Sequence, residues 1–348
     1  MEARIEVGIL GATGMVGQHF IKFLQGHPWF DLKWLGASDR SAGKRYSDAC
    51  TWHLGVAPEA ISAMTVEESK PGNAPRLLFS AMDASVATDI ERAFAQAGHV
   101  VVSNSKNHRM ERDVPLLIPE INPDHLKLIP GQQRARGWKG QIATNPNCAT
   151  ISLCMGLAPL RAFGITKIIV TTLQAISGAG YPGVPSMDIN ANVIPYIGGE
   201  EEKMEQETQK ILGDFRGDHI DPLAARVSAH CNRVPVVDGH TVTVSVEFSS
   251  KPSLADVRNA FDRFTSVPQQ RKLPSAPATP IIYMPQQDRP QPRKDAERER
   301  GMAAFVGRLR PCPALDYKFV ALTHNTIRGA AGAAVLNAEL MHSEGMLD

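Results

Sequence analysis

Cys148 stands in Asn145-Pro146-Asn147-Cys148-Ala149-Thr150, immediately ahead of a run with amphipathic helical spacing. A thiol in a first helical turn lies among free N–H groups at the positive end of the helix dipole. That placement favours the thiolate and lowers the thiol pKa. A free cysteine is more often a small core residue. That reading suits Cys154, inside the same run, and also Cys50 and Cys312. Cys148 differs because a proline and two asparagines crowd the loop before it, where capping and oxyanion donors belong.

Partners for such a nucleophile lie further along the chain. Arg233-Val234-Pro235-Val236-Val237-Asp238-Gly239-His240 joins two strand candidates through Asp-Gly, a two-residue hairpin signal. A hairpin would project the anion-binding Arg233 and the titrating His240 on one face. The alternative is an exposed pair on a hairpin edge, and Pro235 limits the pairing. Gln174 closes a strand just before the Gly-rich stretch Ser177–Gly183. Glu200, Glu201, Glu202 and Lys203 open a helix, where acids ordinarily serve the dipole. Glu200 and Lys203 stand three apart, so they share a face that suits a zwitterionic, phosphorylated ligand.

Gly11-Ala12-Thr13-Gly14-Met15-Val16-Gly17 follows a strand and opens a helix, the context a dinucleotide pyrophosphate needs. The spacing is GxxGxxG, and a ligand-free tight turn is the plainer reading. The end of the second strand chooses between cofactors. Ser38, Arg40 and Ser41 suit the 2′-phosphate of NADP, whereas Asp39 suits the ribose hydroxyl of NAD. The balance of residues favours NADP.

These groups need elements to hold them. Strands are predicted over 4–10, 32–37, 76–79 and 99–102, and helices over 15–25 and 84–97 with Gly26 and Gly98 as stops. Strands alternating with helices argue for a doubly wound, mostly parallel α/β sheet. Beyond Asn145 come a helix over 149–161, a β-branched strand over 165–172 and a polar–apolar alternating strand over 241–248. Strand 314–322 completes a second, α+β unit with a largely antiparallel sheet, and a final helix over 329–341, rich in Ala and Gly, can pack closely against another element. Residues 131–140 read as a basic exposed loop and 285–300 as a polar surface segment.

Composition bounds the function. At 348 residues, roughly two domains are expected. Thirty-seven Lys and Arg against 36 Asp and Glu leave a formal charge of +1, without the basic footprint that nucleic acid or an anionic membrane demands. No apolar run approaches the ~20 residues needed to span a bilayer. The five cysteines form no CxxC pair, and neither they nor the 11 histidines form a convincing metal-ligand cluster. The expectation is a cytoplasmic protein with reduced thiols, no metal and a small-molecule partner.

Seven segments in order carry a resemblance: GATGMVG (11–17), SNSKNHRM (103–110), NPNCAT (145–150), LQAISGAGYPG (173–183), GEEEKMEQET (199–208), RVPVVDGH (233–240) and HNTIRGAAGAAV (324–335). Over essentially its whole length the chain resembles the aspartate-semialdehyde dehydrogenases of archaea and fungi. The resemblance implies that Cys148 is the nucleophile and His240 the acid/base, with Gln174 orienting the acyl group beside Asn147. It implies Arg233 for the substrate carboxylate, Glu200 for the amino group, and Arg109 with Lys203 for phosphate. Which of the three glutamates meets the amine is settled only by the spacing from Lys203, which favours Glu200. Cofactor contacts are implied at Gly11, Thr13, Gly14, Met15, Val16, Ser38, Arg40, Ser41, Ser80, Ser103, Ser177, Gly178 and Asn325.

The implied organisation is Rossmann-like: an NADP-binding domain over 1–146 with the C-terminal helix 325–348, and a catalytic and dimerisation domain over 147–324. The implied activity is reversible, NADP-dependent reductive dephosphorylation of L-4-aspartyl phosphate through a cysteine thioester, with inorganic phosphate as co-substrate. That step serves biosynthesis of lysine, threonine, methionine and isoleucine, and the assembly is a homodimer or homotetramer. Two alternatives remain. Reductases for N-acetylglutamyl phosphate or malonyl-CoA share the Cys and His chemistry but need no acid for a free amine, against Glu200 with Arg233. An NADP-sensing regulator would not need the Cys148, Gln174 and His240 set.

Overall fold

The computed structural model describes residues 3–347. Its first sheet contains β1 (Ile5–Leu10), β2 (Phe30–Ala37), β3 (Glu67–Glu68), β4 (Leu77–Ser80), β5 (Val100–Ser103) and β6 (Gln141–Thr144). They lie in the order β3-β2-β1-β4-β5-β6, all parallel. β4, β5 and β6 are buried at every residue, as strands covered on both faces must be. α1 (Met15–Leu24) and α2 (Ala84–Ala97) supply crossovers, and Gly98 ends α2 in the left-handed region at φ 108°. Strand order reverses between β1 and β4, so the crevice at their C-terminal ends is where such a sheet accepts ligands.

Residues 131–140 are not a loop. Helix α3 (Ile129–Arg136) occupies most of the segment, stopped at Gly137 with φ 65°. It lacks an apolar stripe because its polar side chains do the packing. Gln132 accepts from Ile142 N at 2.8 Å and donates to Ile142 O at 2.9 Å, and so serves edge strand β6 as a neighbouring strand would. Arg136 is held by Asp113, at 2.6 Å from Nε.

The second sheet contains β7 (Ile165–Gln174), β8 (Arg226–Arg233), β9 (His240–Phe248), β10 (Ile281–Met284), β11 (Ala304–Pro311) and β12 (Tyr317–Thr323), in the order β8-β7-β9-β12-β11-β10. The centre is antiparallel, but each edge adds a parallel pair, so the sheet is mixed. One face is covered by α4 (Cys148–Leu157), which is buried at every position from Ala149 to Leu157 and also packs on α5 (Glu200–Ile211). It is therefore a central helix rather than the amphipathic one expected. Pro159 lies in the 3-10 turn Ala158–Phe163 that takes over where the α-helix ends, short of position 161.

The last helix, α6 (Gly332–Ser343), follows a π turn over Ile327–Ala331 and packs its Val335, Leu336 and Leu340 into the core of the first sheet. The polar segment 285–300 is not wholly at the surface: Asp295 is fully buried and accepts from Arg289 Nε and Gln291 N, each at 2.7 Å. No described helix is long and apolar enough to cross a membrane.

Candidate active site

The ends of three adjacent strands build one wall. β8 and β9 do not form the expected hairpin; they flank β7 on opposite sides, with Arg233 opposite Gln174 and Thr241 opposite Leu173. A two-residue turn spans one strand spacing, about 4.8 Å, whereas this connection must cross two. Residues 234–237 therefore lie across the end of β7: Val234 N donates to Gln174 O at 3.0 Å, and Ile176 N to Val236 O at 2.8 Å. Arg233 and His240 nevertheless meet. A Cβ on Gly178 would sit 2.9 Å from both Arg233 Nη1 and His240 Cε1, so both side chains border one point and only glycine fits there.

His240 is fully buried. Its Nδ1 accepts from Ala175 N at 3.1 Å, and its Nε2 has no partner. Burial first, then the positive charge of Arg233, push its pKa down to about 3. The ring is neutral and carries its proton on Nε2. Arg233 is anchored by donating from Nη1 to Ala175 O at 2.7 Å.

Cys148 is the first residue of α4. Asn147 caps the helix, its Oδ1 accepting from Ala149 N at 2.9 Å and Thr150 N at 3.2 Å. The helix N-terminus was expected to lower the thiol pKa. Instead, burial and the charge of Glu200 push it up to about 12, outweighing Arg109, Arg233 and the Ala149 N–H. The ligand-free site thus holds a protonated thiol and a neutral imidazole.

Helix α5 presents a second wall. Glu200 accepts from Asn147 Nδ2 and Lys203 Nζ, each at 2.8 Å, and from Gln174 Nε2 at 3.4 Å. Glu201 points away, its carboxylate accepting from Cys231 N at 3.0 Å. Arg109 reaches the same region and donates from Nη2 to Asn104 O at 2.7 Å. Cys148, Asn147, Arg109, Ser177, Gly178, Met15, Val16 and Asn325 line one cleft of about 410 Å³. Asn325 ties two of its loops together, donating to Ser177 Oγ and accepting from Gly239 N, each at 2.8 Å.

The turn from β1 into α1 forms the cleft's other end. Gly11 has φ 76°, and a Cβ on Gly17 would lie 2.4 Å from Gly11 O, so the helix packs directly on the loop. Gly14 is the N-cap, and no side chain caps α1. Gly14 N donates to Gly11 O at 3.2 Å, but the next N–H groups, of Met15, Val16 and Gly17, have no backbone partner and are available to a pyrophosphate, so the residues fit the group. Ser38, Arg40 and Ser41 form a turn at the end of β2, with Ser41 N donating to Ser38 O at 2.8 Å; Ser38 and Arg40 are exposed. Ser80 and Ser103 are fully buried, and both hydroxyls donate to Glu91, at 2.6 and 2.7 Å. Their hydroxyl protons are committed to the protein's own carboxylate.

Sequence reasoning missed Glu207 and Lys210, which bind Arg109 from α5. The spacing 200, 203, 207, 210 along one helical face was the available signal.

Residues 6–129 match the family described as semialdehyde dehydrogenase, NAD binding domain, and residues 157–328 its dimerisation domain. The aspartate-semialdehyde dehydrogenase of Methanothermobacter thermautotrophicus is 50% identical over 97% of this chain and 99% of its own. That of Cryptococcus neoformans is 49% identical over 99% and 98%. The crystal structure of the Candida albicans enzyme with NADP superposes with a TM-score of 0.92 at 43% identity, covering 99% of this chain and 100% of that one. A Vibrio cholerae enzyme complexed with ASA gives 0.77 at 27% identity, covering 99% of each.

Proposed function

The chain belongs to the aspartate-semialdehyde dehydrogenases, and from that premise we propose that it reduces L-4-aspartyl phosphate reversibly, through a thioester on Cys148 and with NADPH as reductant. The observation that carries the reading is that Cys148, at the head of α4, lines a cleft with Arg109 and Gly178, while Arg233 and His240 both border Gly178 and Glu200 bonds the Asn147 side chain beside the cysteine.

Binding comes first. Arg233 offers a forked donor to the α-carboxylate, and Glu200 accepts the α-ammonium. Pairing with the ammonium offsets the Glu200 charge that helps to hold Cys148 protonated, so the substrate itself favours the thiolate. Arg109 and Lys203 receive the phosphate. The sulfur displaces phosphate and forms the thioester. When bound, the nicotinamide supplies hydride to the thioester carbon. Backbone N–H groups at the head of α4 meet the tetrahedral oxygen. His240 donates a hydrogen bond from Nε2–H to that oxygen, and as the C–S bond breaks the aldehyde forms and the sulfur leaves as the Cys148 thiolate. Gln174, held between Thr172 and Glu200, orients the acyl group.

Ser38, Arg40 and Ser41 support NADP over NAD, because their turn presents hydroxyls and a guanidinium where the 2′-phosphate belongs. A division into a cofactor domain, 1–146 with 325–348, and a catalytic domain, 147–324, is supported by the packing of α6 on the first sheet. A homodimer is supported by the uncovered face of the second sheet, where Ile169 is 50% and Leu173 38% exposed. In this reading the enzyme serves cytoplasmic synthesis of the aspartate-family amino acids. Mixing aspartate semialdehyde, inorganic phosphate and NADP and following nicotinamide absorbance tests the reading; no phosphate-dependent reduction of NADP would refute it.

A further inference from the structure

Arg109 is held at three points by groups outside the residues that meet substrate. Its Nη1 donates to Glu207 Oε1 at 2.9 Å, and its Nη2 to Asn104 O at 2.7 Å. Its own carbonyl accepts from Lys210 Nζ at 2.7 Å. Glu207 is 2% exposed, and its second oxygen accepts from Asn147 N at 2.7 Å. One carboxylate thus joins the Arg109 guanidinium to the backbone immediately before Cys148. Lys210 also donates to Glu111 O at 2.8 Å and Val114 O at 2.9 Å, so the strand of chain carrying Arg109 is fastened to α5. Each terminal nitrogen of Arg109 keeps a second N–H, and the residue lines the cleft.

We propose that Glu207 is a positioning residue that sets the phosphate-binding guanidinium of Arg109 in fixed relation to the Cys148 nucleophile, and so determines how well the enzyme uses phosphate. The proposal rests on the reading of Arg109 given above. Buried carboxylates are costly unless fully bonded, and this one is bonded at both oxygens by groups of the site itself. A second anion near the phosphate also repels it. That repulsion acts across the open cleft, whereas the Glu207–Arg109 bond is buried and charge-assisted, so orientation outweighs repulsion.

The test compares wild type, Glu207→Gln, Glu207→Asp, Arg109→Ala and the Arg109→Ala/Glu207→Gln double variant, with aspartate semialdehyde, inorganic phosphate and NADP. Glutamine can still accept from Asn147 N but offers no charge to Arg109. Glu207→Gln is expected to raise KM for phosphate by about 10-fold or more, the scale of a lost charge-assisted bond, with KM for the aldehyde nearly unchanged. Glu207→Asp keeps the charge and should fall between. In the Arg109→Ala background the Gln change should add almost nothing. An unchanged or lower phosphate KM, an equal rise for the aldehyde, or an effect that persists without Arg109 overturns the proposal. So does loss of folding in both single Glu207 variants, which would make the carboxylate a purely structural group. If wild type itself shows no phosphate-dependent reaction, the functional reading fails instead.

Discussion

The backbone N–H of Ala175 donates to Nδ1 of His240 at 3.1 Å, and that bond decides where the imidazole proton resides. With Nδ1 occupied as acceptor, the neutral ring must carry hydrogen on Nε2, the nitrogen without a partner. Because burial and Arg233 push the pKa down to about 3, the ring stays neutral over any working pH. His240→Asn should lower turnover about 10²–10⁴-fold while leaving KM for the aldehyde nearly unchanged. Steady-state kinetics on a variant of unaltered thermal stability checks this, and normal turnover would remove His240 from the chemistry.

Cys148 makes a prediction about pH. Burial and Glu200 raise its pKa, so below about 12 the thiolate fraction climbs with pH. Iodoacetamide labelling of Cys148 in the ligand-free protein should accelerate about tenfold per unit between pH 7 and 9, without a plateau. Cys312 is partly exposed; slight burial raises its pKa, but the N–H groups of Leu315 and Ala314 bring it below the usual thiol range. It should therefore label first at pH 7. Glu200→Gln should speed Cys148 labelling, because the charge that opposes ionisation is gone. Peptide mass spectrometry reads all three, and a Cys148 rate already saturated at pH 7 would show an intrinsically acidic thiol.

The sequence revealed what is periodic or carried by turn chemistry. The parallel sheet was legible from apolar runs alternating with helices, and Gly98 stops α2 at the expected residue. Cys148, Asn147, Arg109, Ser177 and Gly178, which line the cleft, all lie in motifs that the sequence singles out. What was hidden depends on long-range placement. Nothing local says that β7 enters between β8 and β9, so Asp238-Gly239 resembled a hairpin. Helix α3 pairs Gln132 with β6 and shows no apolar stripe. Glu207 lies in an acid-rich run whose bland meaning is a solvated face, and only the fold buries it. The Cys148 argument considered only its own helix end; desolvation in the fold and the charge of Glu200, both tertiary properties, push the thiol the other way.

Arg40 should govern the choice of cofactor. A charge-assisted contact with the 2′-phosphate is worth about 1.5–3 kcal/mol, so Arg40→Ala should weaken NADP use roughly 10- to 150-fold and barely alter NAD. Comparing kcat/KM for both cofactors in both proteins decides it. Equal efficiency of wild type with NAD and NADP would contradict the assignment.

Glu200 should govern the choice of substrate. A site built to bond a polar group rejects analogues lacking it by up to about 10⁴–10⁵-fold, because its buried partners are left unpaired. Succinate semialdehyde, which lacks the amine, and N-acetylglutamate semialdehyde, which masks it, should be poor substrates. Glu200→Ala should narrow that gap chiefly by harming aspartate semialdehyde. Comparable wild-type rates on either analogue would favour the sister reductases.

The central claim is the covalent intermediate, and it can be caught directly. Without phosphate, aspartate semialdehyde and NADP should carry the enzyme to the thioester and no further, with at most one equivalent of NADPH formed rapidly per site. Acid quenching followed by peptide mass spectrometry should find one aspartyl group on the Cys148 peptide, none on Cys50, Cys154, Cys231 or Cys312, and none after phosphate is added. An active enzyme that forms no adduct, carries it on another cysteine, or retains wild-type turnover as Cys148→Ser would contradict the account.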